Sequence, residues 1–168
     1  IKTSCGDGVN AIAVNPQHEL ISTGGENGLL QCWDHRNLEK AVGCVDVNAS
    51  LQNYFNMGDS EEVTALKYDT DGITLAVGTS NGMVCLFDLR IGKPRIVKDH
   101  NYGCKINTIE FFKPQADGVS SSAARQHVLS SCSRSLKIWA RDDGDLFTAI
   151  EPDKSINEFC LVKSKAAL

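Results

Sequence analysis

The residues best suited to binding chemistry form one basic segment, from position 90 to position 105. Guanidinium and ammonium groups at this density suit RNA phosphates or an acidic protein tail. Alternation along a strand would divide these side chains between two faces, as in a solvated outer strand. Both a contact surface for RNA or an acidic tail and a solvated outer strand stay open as interpretations. Asp99 is the one acidic residue of the segment, whose basic members are Arg90, Lys93, Arg95, Lys98, His100 and Lys105. The candidate contacts with RNA or a partner are Arg90, Lys93, Arg95, Lys98 and Lys105.

A second candidate contact lies in the polar segment 48–62. It contains Leu51, Tyr54 and Phe55 among polar and acidic neighbours. Apolar side chains in a long connection either pack onto their own domain or form a docking site for a partner. The sequence leaves both hypotheses open, and these three residues are kept as candidate partner contacts.

Catalytic and cofactor chemistry finds little support in the sequence. The run Gly24 to Gly28 lacks the Gly-Lys-Ser/Thr ending of a phosphate-binding loop, and a hairpin explains it. No recognisable spacing to a Ser or Cys nucleophile is found for the histidines, which are His18, His35, His100 and His127. The seven cysteines include no C-x-x-C pair, which favours free thiols over disulfides or a zinc site. We predict no enzymatic activity, no cofactor and no small-molecule substrate.

Composition narrows the class of protein further. The chain has 168 residues, 42% of them hydrophobic and 23% charged, which is the range of globular domains. Its net charge of -4 argues against nucleic-acid binding over the whole surface, although local basic patches stay open. Apolar runs of about 18 residues do not occur, so we expect no membrane partner.

A repeat supplies the elements that must position these residues. Residues 9–36 align without a gap with residues 63–90, so that Gly24 meets Gly78 and Trp33-Asp34 meets Phe87-Asp88. A third copy begins at Ile106 and closes on Trp139. Short apolar runs alternate with turn residues in each copy, and Asn27-Gly28 and Asn81-Gly82 predict tight two-residue hairpins. We expect the outer strand of the first copy between Leu38 and Val47.

Copies that start at positions 9, 63, 106 and 156 and close on an aromatic-Asp pair are typical of WD-type propeller blades. The predicted fold class is all-β, a WD40-type β-propeller fragment with about three four-stranded blades of a probable seven. Its predicted parts are a lead-in (1–8), a blade with an inter-blade insertion (9–62), a second blade (63–105), a third blade with a polar insertion at 113–126 (106–155) and the start of a fourth (156–168).

Blades of this type are often fixed by a hydrogen-bond network of an inner Ser or Thr, a turn Asp, a preceding His and the terminal Trp. Thr79 and His100 are candidate members. Asn stands where Asp is usual and Phe87 replaces Trp, so we expect the network to be incomplete. The residues predicted to have these structural roles are Trp33, Asp34, Phe87, Asp88, Trp139, Asn27, Gly28, Asn81 and Gly82.

Two longer segments show a more specific pattern: LFDLRIGKPRIVKDHNYGCKI (86–106) and LKIWARDDGDLFTAIEPDKSINEFCLV (136–162). They resemble the nucleolar protein 10 family, WD-repeat factors of eukaryotic small-subunit ribosome assembly. The resemblance implies a nucleolar, non-catalytic scaffold within the early U3-containing pre-ribosomal particle that supports processing of the 18S precursor. Its implied partners are pre-ribosomal assembly proteins, with U3 RNA or pre-rRNA as further candidates.

One alternative function shares the same fold. A WD-repeat adaptor of another complex, such as a ubiquitin-ligase substrate receptor, would show the same repeats, because fold alone does not settle function. The two hypotheses differ in the proteins and RNAs expected to copurify. A propeller enzyme is a third and weaker hypothesis, because the repeats supply no convergent set of catalytic groups.

Overall fold

The part of the chain that the structure describes forms three sheets of four strands. The computed structural model describes residues 8–52, 54, 61–113 and 125–162. The strand orders are β1-β2-β3-β4, β5-β6-β7-β8 and β9-β10-β11-β12, so each sheet uses consecutive strands. The predicted all-β fold with three four-stranded blades is confirmed, and we refer to the sheets as blades 1, 2 and 3. The elements are β1 (Val9–Val14), β2 (Leu20–Gly25), β3 (Leu29–Asp34), β4 (Gly43–Asp46), α1 (Val47–Leu51), β5 (Val63–Tyr68), β6 (Thr74–Thr79), β7 (Met83–Asp88), β8 (Lys93–Asp99), β9 (Ile106–Phe112), β10 (His127–Cys132), β11 (Leu136–Ala140) and β12 (Leu146–Ile150).

The hairpins between the second and third strands differ from the prediction. In blade 2 the loop has three residues, 80–82, and the Gly82 N–H donates to Thr79 O at 3.3 Å. Gly82 has a φ of 92° and Gly28 a φ of 72°, whereas neither Asn81 nor Asn27 has a positive φ. A turn that ends in a left-handed glycine is the usual three-residue hairpin. The prediction of two-residue loops was therefore wrong, although the glycines do have the predicted turn role.

The outer strand of blade 1 is shorter than expected. β4 spans only Gly43–Asp46, and Val47–Leu51 forms helix α1 instead of continuing the strand. The Asp46 carboxylate accepts a hydrogen bond from the Ala49 N–H at 2.9 Å, which is the action of an N-cap residue. Five residues are too few to show helical periodicity in a sequence, which is why the pattern indicated only a strand and a loop.

Adjacent blades pack through a glycine and a β-branched residue. A Cβ added at Gly24 of blade 1 would lie 2.2 Å from Cγ1 of Val63 in blade 2. The equivalent Gly78 of blade 2 faces Ile106 of blade 3, whose Cβ would lie 2.7 Å from an added Cβ. Val63 and Ile106 are fully buried at the start of the innermost strands of their blades. The absence of a side chain at each glycine is what allows the blades to approach this closely.

The described residues therefore form two hydrophobic clusters, each between adjacent blades. One joins blades 1 and 2 and includes Leu30, Leu51, Val63, Leu75 and Phe87. The other joins blades 2 and 3 and includes Leu86, Ile106, Ile109, Val128 and Trp139. Because each cluster draws on two blades, a blade buries its apolar faces only against its neighbours.

The alternating strand directions divide the loops between two rims. The first rim contains the second-to-third strand hairpins and the inter-blade connections, such as 80–82 and 100–105. The second rim contains the turns 15–19, 35–42, 69–73, 89–92 and 141–145. Residues on different rims are thus separated by the length of a strand.

Residues 156–162 lie in no strand, but hydrogen bonds hold their start against blade 3. Asn107 Nδ2 donates to Ile156 O at 3.3 Å, and the Ile156 N–H donates to Ser133 O at 2.9 Å. Thr64 makes the comparable contact between blades 2 and 3, because its hydroxyl donates to Ile106 O at 2.8 Å. Within the described ranges no helix is long and apolar enough to cross a membrane.

Candidate contact surface and the networks that position it

Arg90, the first residue of the basic segment, is bound to a carboxylate. Its Nε lies 2.9 Å from Asp88 Oδ1 and its Nη2 lies 2.6 Å from Asp88 Oδ2. Hydrogen bonds from the Arg90 side chain and backbone lower the pKa of Asp88 to about 2. Arg36 binds Asp34 of blade 1 in the same bidentate way, at 2.9 and 2.7 Å. Asp-x-Arg thus fixes the turn between the third and fourth strands of blades 1 and 2, and Arg90 is paired with Asp88 although 69% of its side chain is exposed.

The other basic candidates are not brought into one patch. Lys93 and Arg95 are exposed near the second-rim end of the outer strand β8. Lys98 is half-buried, and its Cε would lie 2.4 Å from a Cβ added at Gly144 in blade 3. Lys105 is exposed at the first rim, before β9. Lys93 and Arg95 are therefore the candidates that share an exposed edge.

The candidates from the inter-blade insertion also occupy different environments. Leu51 ends helix α1 and is fully buried in the cluster between blades 1 and 2. Its side chain packs onto its own domain and offers no surface to a partner, which corrects its place among the candidate contacts. Tyr54 is 51% exposed. Phe55 lies outside the described residues.

The innermost strands border a polar cavity of about 590 Å³ at the first rim. Its lining includes Asn10, Glu62, Thr64, Lys105 and Glu158. Asn10 Nδ2 donates to Glu62 Oε2 at 3.1 Å, so part of this polar surface is already paired. Among the described residues of the lining there is no Ser, Cys or His that could act as a nucleophile or as its base.

A complete buried network is present in blade 3. His100 Nε2 lies 2.8 Å from Ser130 Oγ, and His100 Nδ1 lies 3.2 Å from Ser135 Oγ. Trp139 Nε1 donates to Ser130 Oγ at 3.1 Å. His100 and Trp139 are 1% and 2% exposed and both serines are fully buried, so no substrate could reach this Ser–His pair. The expectation of an incomplete network rested on residues of blades 1 and 2, and blade 3 differs because Ser135 makes the contact usual for a turn Asp.

Blades 1 and 2 contain reduced versions of the same network. Trp33 Nε1 of blade 1 donates to Thr23 Oγ1 at 3.0 Å. In blade 2 the equivalent positions are Val77 and Phe87, which both pack in the core between blades 1 and 2. Because both residues of the pair are apolar in blade 2, neither leaves a buried hydrogen-bonding group without its partner. Thr79 instead donates to Asn81 Oδ1 at 2.6 Å within its own hairpin.

A charged cluster joins blades 2 and 3 at the second rim. Asp69 is 1% exposed, and its Oδ2 lies 2.7 Å from Arg141 Nε in an ion pair whose N–H is not aligned for a hydrogen bond. Gln126 Nε2 donates to Asp69 Oδ1 at 2.6 Å. Arg141 Nη2 binds Asp71 and also donates to Thr74 Oγ1 at 2.7 Å. Burial raises the pKa of Asp71, but the N–H groups of Thr74 and Ile73 and the Arg141 charge lower it below its ordinary value.

Metal-binding and thiol chemistry are not indicated by the geometry. In the part of the chain that the structure describes, no three His, Cys, Asp or Glu side chains are grouped to hold a metal ion. The described cysteines, from Cys32 to Cys160, have free thiols. Burial raises the pKa of Cys85 to about 12, so this thiol is a small apolar group in the core.

The repeated blades, the network around His100 and the Asp-x-Arg turns are features that can be compared with known families. The model of the family described as "Nucleolar protein 10-like, N-terminal domain", a β-propeller domain, matches residues 1–166. The chain belongs to this nucleolar protein 10-like family. The resemblance seen in the sequence is thereby confirmed.

Similar proteins of the nucleolar protein 10-like family occur in distant organisms. "Ribosome biogenesis protein enp2 homolog" of Schizosaccharomyces pombe is 35% identical over 156 residues, which is 93% of this chain and 24% of the relative. "Nucleolar protein 10" of Xenopus laevis is 37% identical over 161 residues, or 95% of this chain and 22% of the relative. "Nucleolar protein 10" of Mus musculus is 37% identical over 160 residues, with the same coverage. The chain spans about a quarter or less of the curated relatives it matches.

A solved structure supports the propeller fold of the nucleolar protein 10-like domain. A chain from "Crystal Structure of Mitotic Checkpoint Complex" superposes with a TM-score of 0.66, covering 88% of this chain and 39% of that one. The sequences are 17% identical, so the likeness shows the fold alone.

Acid should destabilise the nucleolar protein 10-like domain through His100. Burial, and then the Lys137 charge, lower the pKa of His100 from 6.5 to about 4. The unfolded chain therefore binds more protons than the folded one between pH 6.5 and 4, and the stability contributed by neutral His100 is lost as pH falls through this window. We expect the stability difference between wild type and His100→Gln to change with pH there and to be constant above pH 7. Urea denaturation at a series of pH values measures it, and a pH-independent difference would contradict the assignment.

Blade 2 suggests a test of the Trp33–Thr23 pair. Trp33→Phe should cost about 2 kcal/mol, because it removes the hydrogen bond and part of the indole volume. Thr23→Val with Trp33→Phe reproduces the Val77 and Phe87 pair of blade 2 and should recover about half of that loss. Denaturation of the two single variants and the double variant gives the coupling energy. Strictly additive effects would show that the two side chains do not act as a pair.

Proposed function

We propose that this domain is part of a nucleolar, non-catalytic scaffold for early assembly of the small ribosomal subunit. Family membership over residues 1–166 is the observation that supports this proposal most strongly. Relatives named "Ribosome biogenesis protein enp2 homolog" and "Nucleolar protein 10" support the process and the compartment. The finer part of the proposal is incorporation into the U3-containing particle and support of 18S precursor processing.

Scaffolding by such a domain rests on several weak contacts made at once. Blade rims and inter-blade loops point in different directions, so one domain can bind several assembly proteins at the same time. Linked contacts raise the effective concentration of each further partner, which makes incorporation tight although each contact is modest. The Ser–His pair at His100 is inaccessible, so it has a structural role and is consistent with a protein that does no chemistry.

Association with RNA or an acidic protein tail is assigned to the exposed edge that contains Lys93 and Arg95. Lys98 and Lys105 lie further along the same segment, and Arg90 would add charge beside its bond to Asp88. Tyr54 is a proposed apolar contact on the first rim, and Phe55 is kept as a proposed contact from the sequence alone. Lys93→Glu with Arg95→Glu in the full-length protein should reduce incorporation into the particle. Lys40→Glu with Lys113→Glu changes the same charge at exposed positions elsewhere and is the matched control.

Sedimentation of a nuclear extract that contains the tagged full-length protein tests the function itself. We expect the protein to migrate in a large particle with U3 RNA and 18S precursors, and to leave it when early pre-ribosomes are disassembled. Migration in a small complex free of these RNAs would overturn the proposal. Copurification of ubiquitin-ligase subunits instead of pre-ribosomal proteins would favour the adaptor function.

A further inference from the structure

The outer strand of blade 3 differs from the other two outer strands. β12 has the sequence LFTAI, with neither a charged residue nor a proline. Leu146, Phe147 and Ile150 are 58%, 73% and 52% exposed. β12 pairs with β11 along one edge, and its other backbone edge has no strand beside it among the described residues. An uncharged edge with exposed apolar side chains can accept another strand.

The corresponding edges of blades 1 and 2 are protected. β4 has only four residues, Gly43–Asp46. β8 is longer, but it contains Lys93, Pro94, Arg95 and Lys98. Short length, proline and basic side chains are the usual means of preventing strand addition. This also gives the basic segment a structural explanation, because several of its members lie on an edge that would otherwise accept a strand.

Register identifies the two residues that make the difference. Pro94 of β8 pairs with Phe87, and Leu146 of β12 pairs with Trp139, so Pro94 and Leu146 hold equivalent positions. Both strands have an irregularity at the next residue, which is Arg95 in β8 and Phe147 in β12. β12 therefore has leucine and phenylalanine where β8 has proline and arginine.

The charges around β12 indicate what kind of strand it accepts. Residues 142–153 include five acidic residues and no basic one, but Asp142 and Asp143 already face arginines, at 3.5 and 2.7 Å. Asp145 immediately precedes β12 and Glu151 immediately follows it, and both are exposed. A partner strand lying along β12 would have its ends near these carboxylates. Lys or Arg at both ends of that strand would match them.

We propose that β12 binds an extended protein segment as a fifth strand of blade 3. Apolar and polar side chains alternate along this segment, and both of its ends have basic residues. Backbone hydrogen bonds to the free edge provide affinity, and Leu146, Phe147 and the flanking carboxylates select the sequence. A further blade would pack on the face of the sheet, so it would leave this edge open. The inference goes beyond the scaffold function, because it specifies a peptide site that does not depend on RNA.

The test transplants the protected edge of β8 into β12. Leu146→Pro with Phe147→Arg places in β12 the residues that β8 has at the same register positions, so the backbone can accept them. The probe is a synthetic peptide, KKVTVTVTKK, titrated into the full-length protein. We expect the double variant to bind it at least about tenfold more weakly than wild type. Thermal unfolding of both proteins establishes that the variant is folded, and Leu146→Pro alone retains the Phe147 contact with the His127 ring.

Two controls separate strand addition from simple charge attraction. Asp145→Lys with Glu151→Lys should weaken binding about tenfold, whereas Glu19→Lys with Glu39→Lys, an equal charge change on the second rim, should alter it less than about twofold. Hydrogen exchange should show new protection at residues 146–150 on peptide binding and none at residues 93–99. The peptide KKVTPTVTKK keeps the charge but cannot pair along its length, and it should bind more weakly.

Three outcomes would overturn the proposal. Equal affinity of wild type and the folded Leu146→Pro/Phe147→Arg variant would show that β12 is not the site. If the two pairs of charge reversals weakened peptide binding equally, the binding would depend only on the net charge of the protein. A dimer of the full-length protein that forms without peptide, and that the edge variant abolishes, would make a second copy of the chain the occupant.

Discussion

Arg141→Met is expected to destabilise the protein by about 4 kcal/mol, because it removes the cation facing a buried carboxylate. Asp69 is 1% exposed and Arg141 is only 17% exposed, so water replaces little of the lost interaction. Gln126 still binds Asp69 Oδ1, but it provides no charge. Arg141 also contacts Asp71 and Thr74, and the substitution therefore affects the second rim of blade 2 as well as blade 3. Urea denaturation of the full-length protein measures the effect.

The matched control for Arg141 is another arginine ion pair close by. Arg125 Nη2 lies 2.7 Å from Asp143 Oδ2, but the two side chains are 60% and 39% exposed. Surface ion pairs of this kind contribute about 0 to 1 kcal/mol, so Arg125→Met should have a small effect. If the two substitutions cost the same, burial of Asp69 would not be the cause of the Arg141 effect.

Gly78→Val is expected to cost about 3 kcal/mol, although valine is normally favoured over glycine in a strand. The added Cβ would lie 2.7 Å from the Cβ of Ile106 and 3.2 Å from the Cβ of Ala65. Ile106 is fully buried and fixed at the start of β9, so it cannot move aside without opening the contact between blades 2 and 3. Urea denaturation, with hydrogen exchange of the amides in β6 and β9, reports both the loss and its location.

Gly43→Val provides the opposite case in the same fold. Gly43 begins the outer strand β4, where an added Cβ would meet nothing closer than the Cβ of Cys32 at 3.9 Å. Valine there restricts the unfolded chain and suits a strand, so stability should be unchanged or rise by up to about 1 kcal/mol. A loss as large as that of Gly78→Val would refute the view that close approach of the blades explains why both repeats have a glycine at this position, Gly24 and Gly78.

The repeat made most of the fold predictable from the sequence. A gapless match of 9–36 with 63–90 places the same strands twice, and the closing Trp139 locates the third blade. Features set by a single local interaction were missed: Asp46 ends a strand by capping a helix, and Gly82 closes a three-residue hairpin. Alternation of apolar and polar residues does not detect either feature, because a five-residue helix and one additional turn residue are both too short to show a period.

The candidate site was less predictable because it depends on contacts between distant residues. His100 and Ser135 are far apart in sequence, and nothing local to either indicates that they meet. In the sequence, Leu51 is indistinguishable from an exposed apolar residue of a loop. Helix α1 places its side chain in the core. The basic segment is contiguous in sequence but extended in space, so charge density along the chain overstated charge density on the surface. Arg90 was the recoverable case, since Asp-x-Arg recurs in blades 1 and 2.

The placement of the two tryptophans allows intrinsic fluorescence to report on the unfolding of individual blades. The chain has two, Trp33 in blade 1 and Trp139 in blade 3, and both are almost fully buried. Each indole therefore emits from an apolar environment and shifts to longer wavelength when its own blade opens. In variants that retain one tryptophan, fluorescence emission reports the unfolding of blade 1 or of blade 3 separately. Blade 2 contains no tryptophan and contributes no such signal. If the two emission curves coincide when plotted against urea concentration, blades 1 and 3 unfold as one cooperative unit. If they separate, their midpoints give the order in which the blades unfold.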